Sequence, residues 1–243
     1  MGAAALAIWI YLLLGRGGFW RMRDAPPEGA PPAAAPAIVA VIPARNEAPV
    51  VARAVGSLAR QRYPGEFHIV LVDDDSTDGT AGTARAAAPA DFLDVVRAGP
   101  VPAGWTGKLW AASEGIRAAG RFQAEYLLLT DADIEHPPEN LSALVARAGS
   151  GGYDLVSFMA TLECRALAER ALIPAFVFFF FMLYPPASRR GTAAAAGGCI
   201  LIRREMLERI GGLAAIRGDV IDDCALARAV QRQGGRAAAS GWA

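Results

Sequence analysis

Residues 126–137, YLLLTDADIEHP, end an apolar run abruptly in two carboxylates, Asp131 and Asp133, and paired prolines close the segment. The run 126–130 is short, unbroken and bounded by turn chemistry, so it reads as a buried strand. Asp131 and Asp133 then stand just past its carboxyl end, where open α/β sheets bind their ligands. An unpaired buried charge is costly, so this pair calls for a cation. The i, i+2 spacing lets one carboxylate ligate a hard divalent ion while the other anchors a bound group beside it. Such an ion keeps several waters and draws further ligands from substrate phosphates. Taken alone, an Asp-x-Asp triplet is more often a solvated turn. A second strand end is also acidic: 67–72 run into Asp73, Asp74 and Asp75, followed by Ser76-Thr77-Asp78-Gly79-Thr80. A third acidic pair, Asp222-Asp223, opens a helix whose dipole alone would favour it.

The elements that must position these acids alternate. Residues 37–42 (AIVAVI) read as a first buried strand, with Pro43-Ala44-Arg45-Asn46-Glu47 as the loop beyond it. Val51, Val55 and Leu58 recur at helical spacing within 48–60. The strand at 67–72 is followed by a helix running to Ala87, capped by Ser76 or Asp78. A third strand is expected at 92–96, a loop with Trp105 at 99–107, and a helix from Lys108 to Ala119. Residues 138–148 read as helix, 153–159 as strand, and 199–202 as a strand whose Gly197-Gly198 start needs a close backbone approach. This alternation predicts a mainly parallel sheet with right-handed crossovers, the strand ends gathered on one edge.

The chain has 243 residues, room for one sizeable domain, with 24 basic and 24 acidic residues. Zero net charge argues against nucleic-acid binding, which usually shows a basic excess. Cys164, Cys199 and Cys224 form no framework and the two histidines, His68 and His136, have no metal-site spacing, so free thiols in a reducing compartment are expected and zinc is not. The hydrophobic fraction is 53%, concentrated partly in two anomalous runs. Residues 2–14, extended by 15–20, approach the length that spans a bilayer, and Arg16, Arg21 and Arg23 follow. The positive-inside rule then places the remainder in the cytoplasm, so residues 1–20 are expected to be an N-terminal transmembrane anchor at the bacterial inner membrane. Five of the sixteen prolines fall within 24–36, a linker composition, so the domains are 1–20 anchor, 21–36 linker and 37–243 folded. The second run, within 166–184, is too short to span. It reads either as a buried core helix or, as preferred, an interfacial helix, kinked at Pro174 and ended by Pro185-Pro186.

In order and spacing, VIPARNE, VDDDSTDGT, GKLWA, LTDAD, AAGGCILIRREML and DVIDDCALA resemble the inverting family 2 glycosyltransferases of GT-A fold. Within them the chain is similar to the hopene-associated, membrane-bound bacterial subgroup, and the resemblance covers residues 37–235. It implies an α/β, Rossmann-like nucleotide-diphospho-sugar transferase fold, a mixed and mainly parallel sheet flanked by helices. It also implies a nucleotide-sugar donor, a lipid or lipid-linked acceptor and a divalent metal, Mg2+ or Mn2+.

Carried over position by position, Pro43 and Ala44 would line the nucleoside site through their backbones and Glu47 would lie against the ribose or base. Asp74 would accept the uracil ring N–H, and Lys108 would face the nucleotide or its diphosphate. Asp131 and Asp133 match the metal motif, with Asp133 the direct ligand and Asp131 on the donor side. Asp223 would be the general base, with Asp222, Gly197 and Gly198 shaping the acceptor side. Asp75 stands where relatives often have glycine and takes no role. Processive synthases carry Gln-x-x-Arg-Trp after the base; Arg232 in QRQGG does not supply it, so single addition is expected. Relatives of the subgroup continue into C-terminal membrane helices that this sequence does not contain, consistent with truncation. The competing readings are a nucleotidyltransferase, which would want a glycine-rich basic loop near the first strand, and a non-catalytic sugar-nucleotide-binding membrane scaffold.

Overall fold

Strands with continuous apolar side chains must be covered on both faces, and the runs at 38–42, 69–72 and 127–128 are buried on both. A computed structural model of the chain describes residues 2–15, 35–183, 195, 197–219 and 221–242. Its strands are β1 (Ile38–Ala44), β2 (Phe67–Asp73), β3 (Leu93–Arg97), β4 (Tyr126–Thr130), β5 (Leu155–Met159), β6 (Cys199–Arg203) and β7 (Ala237–Trp242). They form one seven-stranded sheet in the order β3-β2-β1-β4-β6-β5-β7. The first four are mutually parallel, as the alternation predicts. β6 breaks the pattern by running antiparallel to both β4 and β5, with Thr130 opposite Cys199.

The helices are α1 (Gly2–Ile10), α2 (Val51–Ala59), α3 (Thr80–Ala87), α4 (Gly107–Ala119), α5 (Asn140–Gly151), α6 (Leu167–Leu183), α7 (Arg204–Arg209) and α8 (Asp222–Arg232). Alternate side chains divide the core between the two faces. Val39, Val41, Val70 and Val72 pack with Leu109 of α4, Met206 of α7 and Leu226 of α8. Ile38, Ile42, Ile69 and Leu71 pack on the opposite face with Val51, Val55 and Leu58 of α2 and Leu141 and Leu144 of α5. α4 lies so close to the sheet that a Cβ on Gly115 would collide with Val41 and Val72.

Two membrane expectations meet the fold differently. The helical N-terminus covers only Gly2–Ile10 and one wide turn, Tyr11–Gly15. At about 1.5 Å per residue that is far short of the ~30 Å hydrocarbon layer. Among the described residues no helix is long and apolar enough to cross a membrane. The expected anchor is therefore not found. The flanking Arg16, Arg21 and Arg23 and all but the end of the 21–36 linker lie outside the described residues. α6 is a helix as expected and runs unbroken through Pro174, but Phe181 is its one buried residue. Leu172 is 68% exposed, Phe176 59% and Phe179 55%, so among the described residues α6 is not a core helix and no element covers this side. Pro185-Pro186, expected to end it, lie outside the described residues.

The close approach at Gly115 gives a stability test. Gly115→Val should destabilise the fold by about 1–3 kcal/mol through overpacking, measured as a lower midpoint of urea unfolding.

Candidate active site

Parallel β1, β2 and β4 deliver their carboxyl ends to one edge, which brings Ala44, Asp73 and Asp131 into one neighbourhood. The loops after β1 and β2 are then fastened to one another. Asn46 N–H donates to Ser76 Oγ (3.0 Å), Glu47 N–H to Thr80 Oγ1 (2.8 Å) and Ala48 N–H to Asp78 Oδ2 (3.0 Å). In return Thr77 N–H donates to Asn46 Oδ1 at 2.9 Å. Asn46 and Asp75 both hold left-handed backbone, φ 56° and 57°, which short polar side chains tolerate best. This corrects the capping expectation. Ser76 serves the neighbouring loop, the N-cap position of α3 is Gly79, and Asp78 accepts from Thr80 N–H at 3.0 Å while also holding Ala48.

Two adjoining cavities open on this edge. One, of about 360 Å³, is lined by Pro43, Ala44, Arg45, Glu47, Asp74, Gly107, Lys108, Ala111, Asp131, Ala132 and Asp133. The other, of about 60 Å³, is walled by apolar side chains including Leu129, Leu213 and Leu226, and also meets Lys108, Asp131, Gly197, Gly198, Asp222 and Asp223. Pro43, Lys108 and Asp131 border both. Every residue singled out from the sequence for the site therefore lines one cavity or the other. Asp75 lines neither and pairs with Arg97 on the surface.

The electrostatics follow from crowding acids. Lys108 Nζ lies 2.7 Å from Asp131 Oδ1. Burial works against its charge, but Asp131, with Asp222 and Asp223 further off, raises its pKa above the ordinary lysine value. Glu47 is also raised, by burial first and then by Asp133, Asp131 and Asp78. Asp74 is buried, and Arg45 Nη1 reaches its Oδ2 at 3.4 Å. Gly107 makes room for it, since a Cβ there would stand 2.8 Å from Asp74 Oδ2. Arg45 and Gly107 are site residues that the sequence reading did not single out. Trp105 packs edge-on to Trp110, whose Nε1–H donates to Gly99 O, so it pins its own loop.

Asp222 and Asp223 open α8, and Asp223 Oδ1 accepts from Cys224 N–H at 2.7 Å. Gly197 N–H donates to the Asp223 carboxylate as well, and a Cβ on Gly197 would lie 3.2 Å from its Oδ2. The close backbone approach expected of Gly197-Gly198 is thus toward Asp223, with Gly198 at φ 92°. Burial raises the Asp223 pKa above the ordinary aspartate value, against the lowering hydrogen bonds, and Asp222 adds to the rise.

As for a metal, no group of three or more His, Cys, Asp or Glu side chains is arranged to hold one among the described residues. Asp131 and Asp133 border a cavity roomy enough for a ligand, and the repulsion they exert on Glu47 marks a site short of positive charge. Two carboxylates beside open volume fit a hard divalent ion, which would complete its coordination with waters and ligand oxygens.

Residues 39–211 match the family described as Glycosyl transferase family 2. Over 120 residues the chain is 35% identical to the Undecaprenyl-phosphate 4-deoxy-4-formamido-L-arabinose transferase of Pseudomonas fluorescens. That alignment covers 48% of this chain and 33% of the relative's length. Among solved structures, the mannosyltransferase PcManGT from Pyrobaculum calidifontis, in complex with GDP-Man and Mn2+, superposes with a TM-score of 0.71 at 24% identity. The superposition covers 98% of this chain and 65% of that one. S. aureus TarS 1-349 in complex with UDP gives 0.56 at 18% identity, over 84% of this chain and 57% of that one. These structures share with the chain the mixed α/β GT-A fold.

The Asp223 environment can be tested directly. In a 13C-detected carboxyl titration Asp223 should have its midpoint above 3.8, the ordinary aspartate value. Asp222→Asn should move that midpoint down while burial keeps it above the ordinary value.

Proposed function

Since the chain belongs to glycosyl transferase family 2, we propose that it transfers a sugar from a nucleotide-diphosphate donor, a UDP-sugar, to a hydroxyl of a lipid or lipid-linked acceptor. The observation that carries this reading is the pair of cavities joined at Lys108 and Asp131. One has the volume and polar lining for a nucleoside diphosphate, and the other brings a half-buried carboxylate, Asp223, to the same junction. The apolar walls of the second cavity and the name of the curated relative, an undecaprenyl-phosphate sugar transferase, both support a lipid-linked acceptor. A hopanoid-related acceptor is the subgroup's version of that proposal.

The residues divide the work by position. Pro43, Ala44 and Glu47 border the nucleoside, and Asp74 accepts the ring N–H of the base. Lys108 offsets the charge that grows on the departing diphosphate. Asp133, assisted by Asp131, would hold Mg2+ or Mn2+, which when bound supplies further positive charge to the diphosphate. Asp223 takes the proton of the acceptor hydroxyl as its oxygen attacks the anomeric carbon. The bond from that carbon to the diphosphate oxygen breaks on the opposite face, so the nucleoside diphosphate leaves and the configuration inverts. A single addition per encounter is part of the same proposal.

The exposed apolar face of α6 supports an interfacial position at the cytoplasmic face of the bacterial inner membrane. An N-terminal membrane anchor is part of the same proposal.

Thermal unfolding with UDP, GDP, ADP and CDP, each with and without Mn2+, tests the donor site. UDP with Mn2+ at about a hundred times its dissociation constant should add roughly 2.7 kcal/mol, and Asp133→Asn should remove the metal-dependent part. A cooperatively folded chain that responds to no nucleotide would overturn the donor site and favour a scaffold role. For the base, Asp223→Asn should keep nucleotide binding while transfer falls about 10²–10⁴-fold. Because burial raises the Asp223 pKa, the base protonates as pH falls through that raised value. The acid limb of the transfer rate should therefore lie above the ordinary aspartate range, and retained transfer in Asp223→Asn would remove Asp223 from the role.

A further inference from the structure

Directly beneath the Asp131–Asp133 turn lies a chain of buried polar side chains that the transfer step does not use. Thr130, His136 and Asn140 are each at most 4% exposed. Thr130 Oγ1 lies 2.6 Å from Gly198 O and 2.9 Å from His136 Nε2, and Asn140 Nδ2 lies 2.9 Å from His136 Nδ1. His136 N–H donates to Ser57 Oγ (2.9 Å), which anchors the residue to α2.

The proton order along this chain is forced. A carbonyl oxygen only accepts, so Thr130 must spend its single hydroxyl hydrogen on Gly198 O. Thr130 Oγ1 is then an acceptor toward His136, whose Nε2 must carry the ring hydrogen. Burial drives the His136 pKa down to about 4, so at neutral pH the ring has one hydrogen and Nδ1 is left as an acceptor. Asn140 Nδ2–H supplies that bond. Each member is satisfied in one direction only, from Asn140 through His136 and Thr130 to the Gly198 carbonyl.

The last link of this relay, Thr130 to Gly198, joins the two halves of the site. Thr130 immediately precedes Asp131, and the Gly197 N–H beside the receiving carbonyl holds the Asp223 carboxylate. A Cβ on Gly198 would stand 3.3 Å from Ile134 Cδ1 and 3.7 Å from Asp131 Oδ2, so the two turns are already in contact. We propose that His136 and Thr130 are positioning residues that clamp the glycine turn packed against the base to the acidic turn on the donor side. The clamp sets the separation between the donor's anomeric carbon and the acceptor hydroxyl without touching either. This role rests on the transferase reading above.

The test uses the full chain in detergent. With 15N-labelled histidine, and a His68→Gln variant to assign the two rings, wild type should show a neutral His136 protonated at Nε2. A ring protonated at Nδ1, or charged at neutral pH, overturns the relay whatever the activity. In Thr130→Val, which keeps shape and loses the hydroxyl, kcat should fall about ten- to a hundredfold with donor KM within about twofold. Thr130→Ser should restore it. If Thr130→Val does not fold, His136→Gln, whose amide nitrogen reaches the Nε2 position, is compared with His136→Met, which donates nothing. Turnover at the wild-type rate without the donor group, or equal loss with and without it, overturns the positioning role alone. Absence of transfer by wild type from every nucleotide sugar overturns the transferase reading and the positioning role together.

Discussion

Like charges repel, and this chain gathers Glu47, Asp74, Asp131, Asp133, Asp222 and Asp223 around two adjoining cavities with Lys108 and Arg45 as the cations bordering them. The strand ends that carry the acids cannot retreat, because the strands behind them are buried on both faces. The loops cannot splay, because side chains of the second loop hold three backbone N–H groups of the first. The fold therefore keeps an electrostatic deficit in place. A bound cation or the positive side chains must answer that deficit, and the raised Lys108 pKa is one measure of it.

The reversal of β6 is what makes the site two-sided. Had β6 followed β4 in the parallel sense, its start would lie at the opposite edge of the sheet, a strand's length from Asp131. Running antiparallel, it returns Gly197-Gly198 to the edge where β4 ends, opposite Thr130. α8 then needs only to present its first turn to that glycine pair for Asp223 to face the junction. The same residues satisfy a helix dipole and a buried cavity, so Asp222-Asp223 serve both structure and site.

Much of this was legible in the residues. Strands at 38, 67 and 126 are apolar runs, the last two stopping at acids and the first at Pro43, and local rules place both run and stop. The direction of β6 was not legible, since an apolar pentapeptide reads the same in either sense. Ser76 and Asp78 read as helix caps because the backbone groups they hold across the loops, Asn46 and Ala48, stand 30 residues away, and only Asp78 also holds the start of α3. Thr130 and His136 carry no signal in their own segments, and only the pairing across Gly198 gives them a task. For α6, apolar composition said that the helix avoids water in some setting and could not say whether protein or lipid supplies it.

That helix has a consequence for how the sequence can change. With one buried residue in seventeen, α6 is nearly invisible to the pressures that keep a core packed. A population drifting under selection for folding alone would exchange Phe176, Phe179 and Leu172 for soluble residues at little penalty, and would gain resistance to aggregation by doing so. The aromatic run is thus a standing liability, sustained by a demand that the folded domain itself does not make.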